Sequence, residues 1–120
     1  MVAGDDACIT DDRIREILRV PPDTELSLNA LPESEPGARP GQSLTALAQF
    51  AILGSEDRRL TLSEIYERLE ERFEWFGRDK NKSWKRSLRH ALSLHKVFEH
   101  VPRPLTDPGK GGYWTLNFNF

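Results

Sequence analysis

The stretch Trp84–Phe98, WKRSLRHALSLHKVF, sorts its side chains onto two opposite faces when wound as a helix. At about 100° per residue, Trp84, Leu88, Ala91, Leu92 and His95 fall on one side. Arg86, Arg89, His90 and Ser93 fall on the other, and Lys82 just upstream leans the same way. The first face suits a core. The second offers cations and hydrogen-bond donors with no acid among them. A helix laid into a DNA major groove needs that combination, because phosphates attract cations and base edges take forked donors.

Two more helices are predicted upstream. Leu44, Leu47, Ala48, Ala51 and Ile52 repeat at helical spacing, and Gly54 closes that run. Ile65, Leu69 and Phe73 line one face of the next, whose outer face of Glu67, Arg68, Glu70, Glu71 and Arg72 reads as solvated surface. Thr61 and Glu64 have capping-box spacing, with Ser63 a competing cap. Arg58 to Leu62 suits a small strand, and Trp75 to Lys82 reads as a turn-like connection. Phe50, Tyr66, Phe73, Trp75, Phe76 and Phe98 are core or near-core candidates.

Downstream the helical period stops. Val97 to Arg103 reads as a strand, PLTDPGKGG at 104–112 as a loop, and Tyr113 to Phe118 as the returning strand with Trp114, Leu116 and Phe118 on one side. The order is three helices, one small early strand, then a hairpin.

The N-terminal third differs in composition. Thr10 to Arg19 reads as a short amphipathic helix with an apolar stripe of Ile14, Ile17 and Leu18, stopped by Pro21 and Pro22. A segment this short is unstable alone. It packs on its own domain or offers itself to a protein partner. Residues 21–41 hold five prolines, two glycines and three glutamates and read as a linker.

The chain has 120 residues, 38% of them hydrophobic and 30% charged, which suits one domain. No apolar run approaches the roughly 20 residues of a membrane span. The acidic start lacks the basic and apolar blocks of a signal peptide. The single cysteine, Cys8, excludes an internal disulfide and a cysteine-based zinc site, and it is given no function. The net charge of −2 conceals an asymmetry. Residues 1–38 carry 3 basic and 9 acidic side chains, and residues 39–120 carry 14 and 10. The balances are therefore −6 and +4. A mildly basic body with an acidic leader fits phosphate binding better than the average does.

Three separated motifs, AILGSEDRRLTLSEIYERLEERF at 51–73, SWKRSLRHALSLHKVF at 83–98 and VPRPLTDPGKGGYWTL at 101–116, resemble the forkhead family of winged-helix DNA-binding domains. The resemblance runs from about Arg39 to Leu116. It implies an α+β winged helix: a three-helix bundle, a small antiparallel sheet and a wing hairpin, here behind a leader of residues 1–38. It implies a third helix in the major groove of double-stranded DNA. Arg89 and His90 match the family's Arg-His pair that contacts DNA, and Ser93 matches a phosphate-contacting residue. Lys110, among Gly109, Gly111 and Gly112, matches the wing tip near the backbone. Trp114 at the wing base donates its indole N–H to a phosphate or serves the core. Lys82 and Lys85 join the expected interface, within the interrupted basic cluster Lys80, Lys82, Lys85, Arg86.

The departures from the family pattern bear on specificity. The family usually has Asn where Arg86 stands, reading adenine through one donor and one acceptor. Arg has donors only, so it forks onto a guanine or swings to a phosphate. Ala91 replaces a second Asn. The aromatic-rich segment before the first domain helix is reduced to Arg39-Pro40-Gly41-Gln42-Ser43-Leu44, and a basic second wing is expected to be lacking. Altered or relaxed sequence preference follows. The resemblance also implies a nuclear transcription factor, and a monomer is expected.

No enzyme is expected, and no cofactor. The glycines at 109–112 lack a phosphate-loop pattern, and no nucleophile sits at a telling distance from a base. His90, His95 and His100 are spaced by five, so no two share a helical face, and no metal site is expected. His95 is expected inside, and His100 has no assigned role. The competing readings are a winged-helix module that binds protein and an architectural DNA binder without sequence preference.

Overall fold

The computed structural model describes residues 10–33, 35, 38–78, 82–104, 106 and 111–118. At its centre lies α2 (Leu44–Leu53), started by Ser43, whose hydroxyl accepts from the Ala46 N–H at 3.1 Å. Leu47, Ala48, Phe50, Ala51, Ile52 and Leu53 are all buried. A helix apolar on nearly every side must be covered on nearly every side. Helices α3 (Leu62–Arg72) and α5 (Ser83–Leu94) pack on it, together with a three-stranded sheet.

Local chemistry sets the ends. Thr61 wins the cap of α3. Its hydroxyl accepts from the Glu64 N–H at 3.1 Å, and the Glu64 carboxylate accepts from the Thr61 N–H at 2.8 Å. Ile65, Leu69 and Phe73 are buried along the expected face. In α5, Trp84, Leu88 and Leu92 are buried and Ala91 is half-buried. His95 departs from expectation. It is the C-cap, leaves the helix in extended backbone and is exposed.

The segment read as a turn after Phe73 holds a short helix, α4 (Glu74–Arg78). Phe76 is its reason. The ring is fully buried, with its centroid 4.6 Å from that of Trp84 and 6.2 Å from that of Phe73. One helical turn is what delivers it there from Phe73.

Strands β1 (Arg59–Leu60), β2 (Phe98–Val101) and β3 (Tyr113–Leu116) form an antiparallel sheet in the order β1-β3-β2. Phe98 faces Leu116 and His100 faces Trp114 across β2 and β3. Side chains alternate, so these four share one face. The Phe98 end enters the core.

The leader is packed on the domain. Helix α1 (Asp11–Leu18) is capped by Thr10, and Ile14 beneath it is 2% exposed, against Leu26, Leu53, Leu116 and Phe118. Arg58 reaches back to Asp11 at 2.9 Å. The linker is more than a linker. Leu28 opens a 3₁₀ turn (Leu28–Ala30) and sits in the main core. Arg72 donates to the Leu28 and Leu31 carbonyls at 3.2 and 2.6 Å. Gly54 admits this arm: a Cβ there would lie 2.7 Å from the Ser27 Cβ. Cys8 lies outside the described residues, and no helix among those described is long and apolar enough to cross a membrane.

Candidate nucleic-acid interface

The burial of Trp84, Leu88 and Leu92 fixes the roll of α5 about its axis. The opposite face therefore carries Arg86, Arg89, His90 and Ser93, all exposed. Among the described residues, Arg86, Arg89 and His90 have no carboxylate partner. The Ser93 hydroxyl donates back to the Arg89 carbonyl at 3.3 Å, leaving its lone pairs outward. Such a ridge can neutralise phosphates and present forked donors to base edges.

Tyr66 ties this ridge to α3. Its hydroxyl donates to the Lys85 carbonyl at 3.0 Å, and its ring meets Trp84 edge-on at 5.5 Å. Burial pushes its phenol pKa up, and the positive charge of Arg89 draws it partly back. The hydroxyl therefore stays a donor across the physiological range.

Lys82 and Lys85 sit differently from the arginines. The carboxylate of Glu70, on α3, lies 3.6 Å from the Lys82 ammonium and 3.9 Å from that of Lys85. Lys82 also donates to the Phe76 and Gly77 carbonyls at 3.1 and 3.0 Å, closing α4. The Lys85 ammonium lies 5.1 Å from the Tyr66 ring centre. Both lysines are thus half-buried structural cations that share one counter-ion. Glu70, expected to be plain solvated surface, has a partner that only the packing of α3 on α5 reveals.

A groove of about 840 Å³ runs beside the ridge, between the first turn of α3, α5 and the far end of β2 and β3. Ser63, Arg89, Ser93, His100, Arg103 and Trp114 are among its lining. Trp114 is half-buried, its ring 4.9 Å from that of His100. Gly112 lets the chain close behind them, since a Cβ there would lie 2.3 Å from the Val101 carbonyl oxygen. Arg103 is steadied by the Gly111 carbonyl at 3.2 Å. Lys110 and Gly109 lie outside the described residues. Sequence reasoning passed over His100 and Arg103, because neither stands in a helical pattern and only the sheet register brings them beside Arg89.

Comparison with known proteins agrees with this architecture. The family model described as Forkhead domain matches residues 38–120. Forkhead box protein I3-B of Danio rerio is 45% identical over 101 residues, 82% of this chain and 26% of that protein. Forkhead box protein I1 of Homo sapiens is 48% identical over 81 residues, 68% of this chain and 21% of that protein. Forkhead box protein I2 of Mus musculus is 46% identical over 94 residues, 78% of this chain and 30% of that protein. The chain spans about a quarter of the length of such curated relatives. Helices α3 and α5 packed on α2, an antiparallel sheet of three short strands and a family match over most of the chain leave one assignment: this chain belongs to the Forkhead domain family, with the winged-helix fold.

Proposed function

We propose that this domain binds duplex DNA by laying α5 in the major groove, and that it does so with a sequence preference altered or relaxed relative to its family. One observation carries the reading. Arg86, Arg89, His90 and Ser93 stand exposed on one face of a helix whose other face is locked in the core, and no described carboxylate neutralises that face. Arg89 and His90 are the base-edge and backbone contacts. Ser93 and Trp114 face the backbone across the groove, and Lys110, outside the described residues, is a further backbone contact on this reading. Lys82 and Lys85 contribute field rather than direct contacts, because Glu70 holds both ammoniums.

Arg86 sets the preference. A bidentate Asn–adenine pair contributes about 1–3 kcal/mol of discrimination, and a guanidinium cannot reproduce it. Arg86 either forks onto guanine O6 and N7 or strengthens the sequence-blind phosphate attraction. On this reading the chain is the DNA-binding part of a nuclear transcription factor and acts as a monomer.

Binding-site selection from random duplexes tests it, run on the wild type and on Arg86→Asn. The expected wild-type result is a guanine-containing or weakened site, with the A-rich forkhead core restored by the substitution. Recovery of that core by the unmodified chain would overturn the altered preference. Duplex affinity that is absent even at about 50 mM salt, where phosphate attraction is strong, would instead favour a module that binds protein.

A further inference from the structure

Arg58 stands between α2 and β1 with a backbone φ of 55°, in the left-handed region that glycine adopts freely and arginine does not. A non-glycine residue held there costs energy and persists where its surroundings fix it. Its guanidinium lies 2.9 Å from the Asp11 carboxylate at the start of α1. Its carbonyl accepts from the Thr115 hydroxyl on β3 at 2.7 Å. One residue thus holds the leader with its side chain and the sheet with its backbone. The turn beneath it is pinned as well. The buried Ser55 hydroxyl donates to the Ile52 carbonyl at 2.6 Å, and the Arg58 N–H to the Ser55 carbonyl at 3.3 Å.

The strand it holds is the central one. β3 lies between β1 and β2, with Arg59 facing Thr115 and Leu60 facing Trp114 across the β1 edge. β1 is two residues long, shorter than the usual strand, so pairing alone holds that edge weakly. The leader supports the same strand a second time. Ile14 of α1 packs with Leu116, the last residue of β3, and with Phe118 just beyond it. The family match begins at residue 38, so both supports reach β3 from outside the matched unit.

We propose that Arg58 is a positioning residue that joins the docked leader to β3, so that leader docking orders the strand edge beside Trp114 and through it sets duplex affinity. The duplex half of this rests on the DNA-binding reading above. Trp114 is a backbone contact on that reading, and its place depends on β3. Neither the leader nor Arg58 touches DNA in this role. Undocking of α1, by a partner that takes its apolar stripe or by loss of the Asp11 charge, loosens the β1 edge and weakens duplex binding at a distance.

Asp11→Asn and Arg58→Gly, made in the full chain, each cut the joint. Glycine accepts the left-handed turn, so the second removes the side chain without straining the backbone. The two substitutions change the net charge in opposite directions. A field effect therefore raises duplex affinity in the first and lowers it in the second, whereas loss of the joint lowers both. Amide hydrogen exchange of the free proteins should quicken by about two- to fivefold at Leu60, Trp114 and Thr115, the size of one screened ion pair, and stay unchanged at Leu88 and Leu92 of α5. Affinity for a fluorescein-labelled duplex of mixed sequence, at about 150 mM salt where distant exposed charges are screened, should fall by a similar factor in both variants. The double variant should match the single ones instead of multiplying their effects. Exchange that is unchanged at β1 and β3, or quickened equally throughout the chain, would overturn the joint. Quickened exchange with affinities unchanged, or moved in opposite directions, would overturn its effect on DNA. No duplex binding by the wild type at low salt would overturn the DNA-binding reading, and the exchange rates would still decide whether Arg58 joins the leader to the sheet.

Discussion

At Glu70, one carboxylate decides how two lysines of the helix-binding region present their charge. Its oxygen lies within 4 Å of both ammoniums, at 3.6 and 3.9 Å, and all three side chains are about one-third exposed. Glu70→Gln keeps the shape and removes the counter-ion. Lys82 remains on the Phe76 and Gly77 carbonyls, whereas Lys85 is freed toward solvent. Mixed-sequence duplex affinity at low salt should rise about two- to threefold, fading as salt screens it. Fluorescence anisotropy across a salt series checks this, and an unchanged affinity would mean that Lys85 stays on the Tyr66 ring. This pairing was not legible in the sequence. Glu70 is on α3, whereas Lys82 precedes α5 and Lys85 lies on it, and nothing in either helical pattern says which turn meets which. Arg86, Arg89, His90 and Ser93 were legible because the period of a single helix places them opposite Trp84, Leu88 and Leu92.

At the scale of elements, the leader helix and the arm behind it are the informative cases. The α2, α3 and α5 periods pointed to core faces, which are buried or half-buried apart from His95, exposed at the end of α5. The short stripe Ile14-Ile17-Leu18 carried no statement of what covers it, and the proline-rich run concealed Leu26 and Leu28, which no regular period marks. Their docking is testable at Gly54. A methyl group there meets the Ser27 Cβ at 2.7 Å and the Ser27 Cα at 3.1 Å, so the arm must shift. Gly54→Ala should cost about 1–3 kcal/mol in urea unfolding, as overpacking does. Ser27→Gly should recover part of that loss in a double-mutant cycle, whereas additivity would place the strain elsewhere.

Asp11 supplies a second test of the same docking. Its hydrogen bond to Arg58 holds its carboxyl below the ordinary carboxylate value. A carboxylate lowered on folding binds its proton more readily in the unfolded chain, so it stabilises the fold above the unfolded value and that contribution is lost as pH falls through the folded one. The pair is half-exposed, so screening limits it to less than about 1 kcal/mol. Asp11→Asn should therefore lower the urea midpoint slightly at neutral pH, and the difference should vanish in acid below the carboxylate range. A difference that persisted there would mean that Asp11 acts through something other than its charge.

Across the whole molecule, the leader has two opposed effects. It completes the core: Ile14, Leu26 and Leu28 are all less than 10% exposed, and Arg72 is spent on the arm's carbonyls. It also brings a balance of −6 to a body of +4, which reverses the sign of the net field felt by an approaching polyanion. Deletion of residues 1–38 separates the two. Unfolding free energy should fall, and the denaturant slope with it, because the shortened chain buries less surface. Duplex association should nevertheless strengthen at low salt, since a repelling field is removed. The gain should disappear once the Debye length drops to about 8 Å near physiological salt, because exposed charges farther apart than that are largely screened. Urea unfolding followed by tryptophan fluorescence checks the first half, and stopped-flow association at two salt concentrations checks the second. Stability lost without any low-salt gain would make the leader purely a structural brace. A gain that survived high salt would mean that it contacts the DNA-binding ridge directly instead of acting at a distance.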